Sequence, residues 1–234
     1  MPRKKAIVLF SGGLDSSVTL ALAKRLGREC HALTFAYGQR HSVEVRHAKK
    51  SARALGAASH QILKLPFPST GSALTGKGRK IPKDRSLATM SGEIPSTYVP
   101  ARNTVFLALA LSWAETLGAE EIFLGANALD YSGYPDCRPQ FLRSFEKTAR
   151  LGTKAGATGR RINIRAPLVR LTKAQIVRKG IALGVDFAKT HSCYDPDRRG
   201  SPCGRCDSCR LRLKGFQEAG VRDPLDYRHC FQSG

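Results

Sequence analysis

The sequence predicts an α/β protein with a doubly wound parallel sheet, followed by a small cysteine-rich C-terminal region. Short apolar runs alternate with segments of helical periodicity, which is the pattern of βαβ units. One junction, residues 5–26, changes from a buried strand to a helix across a Ser-Gly-Gly turn. Four cysteines lie close together near the C-terminus. We therefore divide the chain into an α/β domain, residues 1–189, and a C-terminal region, residues 190–234.

The predicted elements follow in order along the chain. Strands are expected at 6–10, 30–37, 61–65, 121–125 and 161–167, and helices at 14–26, 43–55, 105–117, 140–151 and 172–183. Asn103 or Thr104 is expected to cap the third helix. Thr172 and Gln175 form a capping box for the last one, which ends near Gly184. Between 66 and 100 periodicity disappears, which predicts a loop insertion, either a lid or a disordered segment.

The composition is that of a globular protein with an unusual charge. Among 234 residues, 39 Lys and Arg face 18 Asp and Glu, which gives a net charge of +21. Such a field favours nucleotides, acidic small molecules or polyanions. The basic residues are spread along the chain, so nucleic acid is a possible but not a favoured partner. We recognise neither a signal peptide nor a membrane-spanning stretch, and we expect a cytoplasmic protein.

The turn after the first strand has the features of an anion-binding site. A helix N-terminus carries free N–H groups and a partial positive charge, and two glycines allow close approach to an anion. Hydroxyl donors are supplied by Ser11, Ser16 and Ser17. Asp15 suits such a site only if a divalent cation bridges it to phosphate. An ordinary capped strand-to-helix turn is the alternative.

The C-terminal cysteines have the spacing of a metal site. Cys193 is followed by Cys203, Cys206 and Cys209. Four thiolates on such short loops can close around one tetrahedral Zn²⁺ and leave no open position, so we expect a structural zinc ion, one per chain. An iron–sulfur cluster is the rival interpretation, but the Cys-Pro ending of ferredoxin runs is absent. Cys30, Cys137 and Cys230 are left over.

A second group of polar residues follows the fourth strand. The segment 126–139 concentrates acidic and aromatic side chains just past a strand end, where ligands bind in parallel sheets. Arg102, placed before a helix start, suits a carboxylate or a phosphate. On pattern alone, a turn-rich connector is the slightly favoured interpretation of this segment.

Several motifs together resemble one family. SGGLDS at 11–16 looks like the loop of the PP-loop ATP pyrophosphatases, which cleave ATP between the α and β phosphates. With VPARN at 99–103, DYSGYPDCRP at 130–139, SCY at 192–194 and CGRCDSCRLRLKGF at 203–216, the chain resembles the QueC family of queuosine biosynthesis, over nearly its whole length. One departure is His191, where the family pattern leads us to expect an aromatic residue such as Trp.

The resemblance implies an adenine nucleotide alpha hydrolase-like, Rossmann-like fold and an ATP-dependent carbon–nitrogen ligase. The family converts 7-carboxy-7-deazaguanine and ammonia to 7-cyano-7-deazaguanine through adenylated intermediates, and ATP gives AMP and pyrophosphate. A homodimer is expected.

The resemblance also implies roles for individual residues. ATP would be held by Phe10, Ser11, Gly12, Gly13, Leu14, Asp15, Ser16 and Ser17. Asp15 and Ser16 would be catalytic, with Asp15 near Mg²⁺. The deazaguanine would be bound by Arg102, Asp130, Tyr134, Asp136 and Arg138, and zinc by the four clustered cysteines.

Three other hypotheses stay open. A PP-loop enzyme that thiolates tRNA would need a catalytic cysteine outside the zinc set, for which Cys137 is the candidate. A non-catalytic nucleotide- or nucleic-acid-binding zinc protein would bind ATP without turnover. A related enzyme could stop at the amide.

Overall fold

The computed structural model describes residues 2–37, 43–68, 71–76, 79–86, 89–90, 94–127 and 134–228. Within these ranges five strands form one sheet in the order β3-β2-β1-β4-β5, and each neighbouring pair is parallel. The strands are Lys5–Leu9 (β1), Glu29–Ala36 (β2), Ser59–Lys64 (β3), Glu121–Leu124 (β4) and Asn163–Arg165 (β5). The predicted doubly wound parallel sheet is confirmed.

Helices connect the strands and cover both faces of the sheet. They are Leu14–Arg25 (α1), Val43–Ala54 (α2), Arg102–Leu117 (α3), Pro139–Leu151 (α4), Lys154–Ala157 (α5), Lys173–Ala182 (α6) and Asp207–Ala219 (α7), with 3₁₀ turns at Pro135–Cys137 and Phe187–Lys189. None of the helices in the described part of the chain has the length and apolarity needed to cross a membrane.

The two faces of β1 pack against different helices. Ala6 and Val8 lie in a cluster with Leu20 of α1, whereas Ile7 lies in the cluster that holds Leu107 of α3. Because both faces are covered, the strand is buried along its centre and appears in the sequence as a continuous apolar run. This burial explains why apolar and polar residues do not alternate in the sequence of β1.

The strand order reverses between β1 and β4. From β1 the chain builds β2 and β3 on one side, then crosses to add β4 and β5 on the other. The connections that leave β1 and β4 therefore diverge, and a crevice opens at the carboxyl ends of these two strands. The predicted anion-binding turn follows β1, so the topology places it at this crevice.

The start of α3 differs from the prediction. The helix begins at Arg102, and its N-cap is Ala101, which adopts a left-handed conformation with φ 53° and makes no side-chain cap bond. The Asn103 side chain is used elsewhere, because its amide donates to the backbone oxygen of Asp136. The capping box of Thr172 and Gln175, in contrast, is present as predicted.

Helix α7 was not predicted. Leu211, Gly215 and Phe216 are buried on one side of it, and the Phe216 ring meets Phe187 edge-on with centroids 5.2 Å apart. The helix lies along α6, which joins the C-terminal region to the sheet domain. The division of the chain at residue 189 stays a prediction.

The 66–100 segment runs mostly as turns and irregular chain over its described residues, in accord with its loss of periodicity. An isolated antiparallel bridge pairs Lys83 with Cys206. The segment therefore contacts the cysteine-rich region, which the sequence did not indicate.

Candidate active site

A cavity of about 250 Å³ opens at the carboxyl ends of β1, β2 and β4. Part of its wall comes from the turn after β1 and the first turn of α1. The start of α3 and residues 124–127, at the end of β4 and just after it, form another part. The predicted ATP-binding residues found in this wall are Phe10, Ser11, Gly13, Leu14, Asp15 and Ser16. Gly12 and Ser17 lie behind them, outside the lining. The crevice predicted by the topology is therefore a real cavity.

The Ser-Gly-Gly turn is held by its own side chains. Ser16 Oγ accepts from the Ser11 N–H at 3.2 Å and donates to the Gly13 carbonyl at 3.1 Å. Gly12 has φ +77°, and a Cβ there would lie 2.8 Å from the Ala48 backbone of α2. A side chain at this position would meet both strain and a clash. The turn is thus preformed, with the N-terminus of α1 facing the cavity.

Asp15 forms an ion pair that the sequence did not predict. Lys173 Nζ donates to Oδ1 at 2.8 Å and to Oδ2 at 2.9 Å. The Lys173 side chain is 7% exposed and the Asp15 side chain 20% exposed. No local pattern could have identified this pair, because 158 residues separate its members. The capping box nevertheless placed Lys173 in the first turn of α6.

The stem of Lys173 runs through a notch in α7. A Cβ built on Gly215 would lie 2.2 Å from Lys173 Cγ and 2.7 Å from its Cβ. Only a residue without a side chain leaves room for the lysine here. Helix α7 therefore determines where the ammonium group of Lys173 lies.

We expect Gly215→Ala to displace Lys173 from Asp15. Alanine would improve the helix propensity of α7 by about 1 kcal/mol, but overpacking costs about 1–3 kcal/mol, so the free energy of unfolding should fall. The formation of AMP from ATP, which the sequence leads us to expect, should fall with it. Glu218→Ala, a change at an exposed position of the same helix, should alter neither. If the Gly215→Ala protein were more stable than wild type and kept the wild-type rate, the claim that only glycine leaves room for Lys173 would be wrong.

The structure places only some of the residues predicted to bind the deazaguanine in the cavity wall. Arg102 and Tyr134 line the cavity. Arg102 Nη1 donates to the Tyr37 hydroxyl at 3.3 Å, and the Tyr134 hydroxyl is 2.9 Å from Thr97 Oγ1. Arg138 is exposed outside the lining, at the N-cap of α4. Asp130 lies outside the described residues.

Asp136 lies behind the cavity wall, where its carboxylate contacts two residues of that wall, Asn103 and Cys137. Its carboxylate accepts the Asn103 N–H at 3.0 Å, and the Asn103 amide donates to Cys137 Sγ at 3.3 Å. The thiol lines the cavity. Burial, together with the Asp136 carboxylate, raises the pKa of Cys137 to about 12. The thiol is therefore neutral near pH 7.

The four C-terminal cysteines converge on one point. All are buried, and their sulfur atoms lie within 4.8 Å of one another. Bonds of about 2.3 Å to one tetrahedral ion would separate the sulfurs by about 3.8 Å, so the group fits a single metal ion. Backbone N–H groups of Cys203 and Asp195 donate to Cys193 Sγ at 3.2 and 3.3 Å, which suits thiolate ligands. The arrangement of the four cysteines therefore suggests a metal site.

Three consecutive residues of the 66–100 segment fasten it to this metal site. Lys83 pairs with Asp195 at 2.9 Å, Asp84 accepts from Arg205 Nε at 2.8 Å, and Arg85 pairs with Asp207 at 2.9 Å. Each partner is next to a cysteine ligand or two residues from one. These three ion pairs fix the position of residues 83–85 relative to the metal site.

The metal site is also close to the Ser-Gly-Gly turn. The His191 N–H donates to the Gly12 carbonyl at 2.9 Å, and the Leu14 N–H donates to Ser192 Oγ at 3.2 Å. His191 stacks on His47 with ring centroids 5.1 Å apart. A stacked ring therefore occupies the position where the sequence departs from the family pattern.

The comparisons with known proteins agree with this geometry. Residues 5–220 match the family described as Queuosine biosynthesis protein QueC. The chain is 58% identical over 227 residues to the 7-cyano-7-deazaguanine synthase of Syntrophobacter fumaroxidans, an alignment that covers 96% of this chain and 97% of that protein. It is 58% identical over 227 residues to the synthase of Anaeromyxobacter sp., with 97% of each chain covered. It is 55% identical over 226 residues to that of Geobacter sp., with 97% and 99% covered. This chain belongs to the QueC family of queuosine biosynthesis proteins.

Proposed function

We propose that this chain carries out the 7-cyano-7-deazaguanine synthase reaction in the cavity at the ends of β1 and β4. The substrates are 7-carboxy-7-deazaguanine, ammonia and ATP. The observation that carries the proposal is that Ser11, Asp15 and Arg102 line the same cavity. Asp15 is held there by its ion pair with Lys173. A nucleotide and a carboxylate bound there would be neighbours.

The reaction needs two activations because a carboxylate and an amide are both poor electrophiles. In the first, a carboxylate oxygen attacks the α-phosphorus of ATP and pyrophosphate leaves. Ammonia then attacks the acyl carbon, AMP leaves, and a proton is lost to give the amide. In the second, the amide oxygen attacks the α-phosphorus of a second ATP and pyrophosphate leaves. Loss of AMP and of the two nitrogen-bound protons then leaves the nitrile. Two ATP are consumed for each nitrile.

The residues of the chain supply position and charge for these steps. N–H groups at the start of α1 and the hydroxyl of Ser11 would bind phosphate oxygens, while Ser16 would hold the turn through its bond to the Gly13 carbonyl. Lys173 would offset negative charge on the leaving pyrophosphate while it orients Asp15. Bound Mg²⁺, held by Asp15, would neutralise the same leaving group.

Arg102 and Tyr134 would hold the deazaguanine. The planar guanidinium group suits the carboxylate of the substrate, and the Tyr134 ring can pack against the flat base. Asp136 would act through Asn103, which it holds in the wall. Direct substrate contacts by Asp130 and Arg138 stay predictions.

The chemistry of the cysteine site supports zinc rather than an iron–sulfur cluster. A cluster distributes its cysteine ligands over several iron atoms, whereas these sulfurs fit around one ion. Four protein ligands leave no open position for substrate, so the zinc ion would be structural. The residues around it are hydrogen-bonded or ion-paired, as in a closed site.

The thiolation hypothesis is disfavoured by the state of Cys137. A persulfide-forming cysteine needs thiolate character and access to a sulfur donor. Cys137 is buried in a wall, accepts a hydrogen bond from Asn103, and has its pKa raised to about 12. These features are typical of an unreactive thiol.

One incubation tests the proposal. The protein is given ATP, Mg²⁺, ammonium and 7-carboxy-7-deazaguanine, and the product masses and AMP are followed. We expect the nitrile and about two AMP per nitrile, and a Cys137→Ser variant that retains this activity. AMP with amide alone would select the amide-forming relative. ATP binding without AMP would select a non-catalytic protein, and steep salt dependence of RNA binding would then indicate its partner.

The predicted homodimer and cytoplasmic location belong to the same proposal. The molecular mass in solution tests the first. Fractionation of cells that express the full chain tests the second.

A further inference from the structure

Residues 190–194 join the metal site to the Ser-Gly-Gly turn. Within these five residues, Cys193 is a metal-site cysteine, and the two residues before it contact the Ser-Gly-Gly turn. Ser192 and Tyr194 line the cavity. The 190–194 segment therefore forms part of the metal site and part of the cavity wall.

The 190–194 segment is anchored at both ends by α7. At its start, the buried Arg212 donates from Nη1 to Thr190 Oγ1 at 2.7 Å. Arg212 is fixed in turn by Asp223, with its Nε 2.7 Å and its Nη2 2.9 Å from the two carboxylate oxygens. At its far end, Cys193 shares the metal site with Cys209, a residue of the same helix. The two residues between these anchors have little freedom to move.

His191 and Ser192 lie between these anchors and meet the turn from one side. The His191 side chain is buried against His47, and its N–H donates to the Gly12 carbonyl. This contact fixes the backbone that carries Ser192. The Ser192 hydroxyl then accepts the N–H of Leu14, the first residue of α1, at 3.2 Å.

The Ser192 hydroxyl group can donate a hydrogen bond as well as accept one. It has one hydrogen to donate in addition to the lone pairs with which it accepts. Since the Leu14 N–H occupies a lone pair, the hydroxyl hydrogen of Ser192 is available to the cavity that the residue lines. The first turn of α1 is also where a phosphate group would bind.

We propose that Ser192, held in place by the metal site, is a nucleotide-binding residue that donates a hydrogen bond to a phosphate oxygen of ATP. This inference rests on the proposed function, because it needs ATP in the same cavity. The metal site then does more than stabilise the tail: it sets one donor of the phosphate site.

The test compares Ser192→Ala with Ser192→Thr, which keeps the hydroxyl. The measurements are the dissociation constant of a non-hydrolysable ATP analogue, the KM values of both substrates, the zinc content and the melting temperature. Loss of one such hydrogen bond should weaken analogue binding by about three- to tenfold in Ser192→Ala. Ser192→Thr should stay within about twofold of wild type. Ser201→Ala, a matched change in the same tail away from the turn, should have no effect.

The outcomes separate the possible failures. Wild-type analogue affinity in Ser192→Ala would overturn the inference. A Ser192→Ala protein that loses its zinc or melts at a clearly lower temperature would overturn it too, because the weaker binding would then reflect damage to the fold. A raised KM for ATP with an unchanged KM for the deazaguanine supports it. If the wild-type protein binds the analogue but forms no AMP, the proposed function fails, whereas the analogue measurements still decide the role of Ser192.

Amide hydrogen exchange tests the link to the metal without relying on activity. Removal of the metal by a chelator should speed exchange in the peptide that covers residues 11–17, and Ser192→Ala should do the same with the metal still bound. Metal removal without any change in this peptide would show that the metal site does not hold Ser192, and would overturn that part of the inference.

Discussion

We expect Asp15→Asn to lower AMP formation by about 10²–10³-fold, the range found when one electrostatic contact to a developing charge is removed. The carboxylate lies in the first turn of α1, lines the cavity and accepts two hydrogen bonds from Lys173. Asparagine keeps the shape but loses the charge, so it can neither bind a divalent cation well nor balance the lysine. The measurement is the initial rate of AMP release with saturating substrates.

A matched control separates this effect from the loss of any surface ion pair. Glu218→Gln breaks the exposed pair with Lys214 on α7 and should leave the rate unchanged. Lys173→Met should also reduce the rate, and the double variant should lose less than the two separate losses combined, because the residues act as a unit. A rate above a tenth of wild type in Asp15→Asn would contradict the assignment.

We expect Cys206→Ser to lose the metal ion and most of the stability that it confers. Cys206 is fully buried, and its sulfur atom is one of the four that converge. A hydroxyl group is a poor replacement for a thiolate ligand, and metal binding to such a site contributes directly to the free energy of folding. Zinc content should fall from one per chain to near zero. The free energy of unfolding should fall by several kcal/mol.

Cys30→Ser is the control for this change. Cys30 is also buried, but it lies in β2, and burial raises its pKa to about 11, so it is a neutral core thiol. This variant should keep one zinc ion per chain. If Cys206→Ser retained stoichiometric metal, the four-cysteine site would be wrong; if both variants lost it equally, the loss would reflect core damage rather than ligand removal.

Local features were predictable where neighbouring residues determine them. The strand at β1, the turn at Ser11–Gly13 and the capping box of α6 follow from short patterns, because chain neighbours supply the hydrogen bonds and the conformational freedom required. The spacing of the cysteines likewise implies a metal site, since short loops limit where four sulfurs can go. The cap of α3 was predicted wrongly, because Asn103 bonds to residues far away in the chain.

Contacts between distant segments were not predictable. Helix α7 has a mixed sequence in which several charged residues hide its buried side, and its packing on α6 follows from the notch at Gly215. The ion pairs of residues 83–85 lie in a segment without periodicity, and their partners are more than a hundred residues away. Single charged residues carry no sign of which partner they will meet.

The sequence by itself predicted the parallel sheet, the strand-to-helix turn at Ser11–Gly13, the convergence of four cysteines and the family. Each of these depends on residue types at short spacing, where chain connectivity restricts geometry. Only the tertiary structure decided that Asp15 is paired with Lys173, that the Asp136 carboxylate bonds to Asn103, and that Ser192 bonds to the start of α1 beside the Ser-Gly-Gly turn. These relations depend on which surfaces pack together, and that packing is settled by the burial of whole helices rather than by any local pattern.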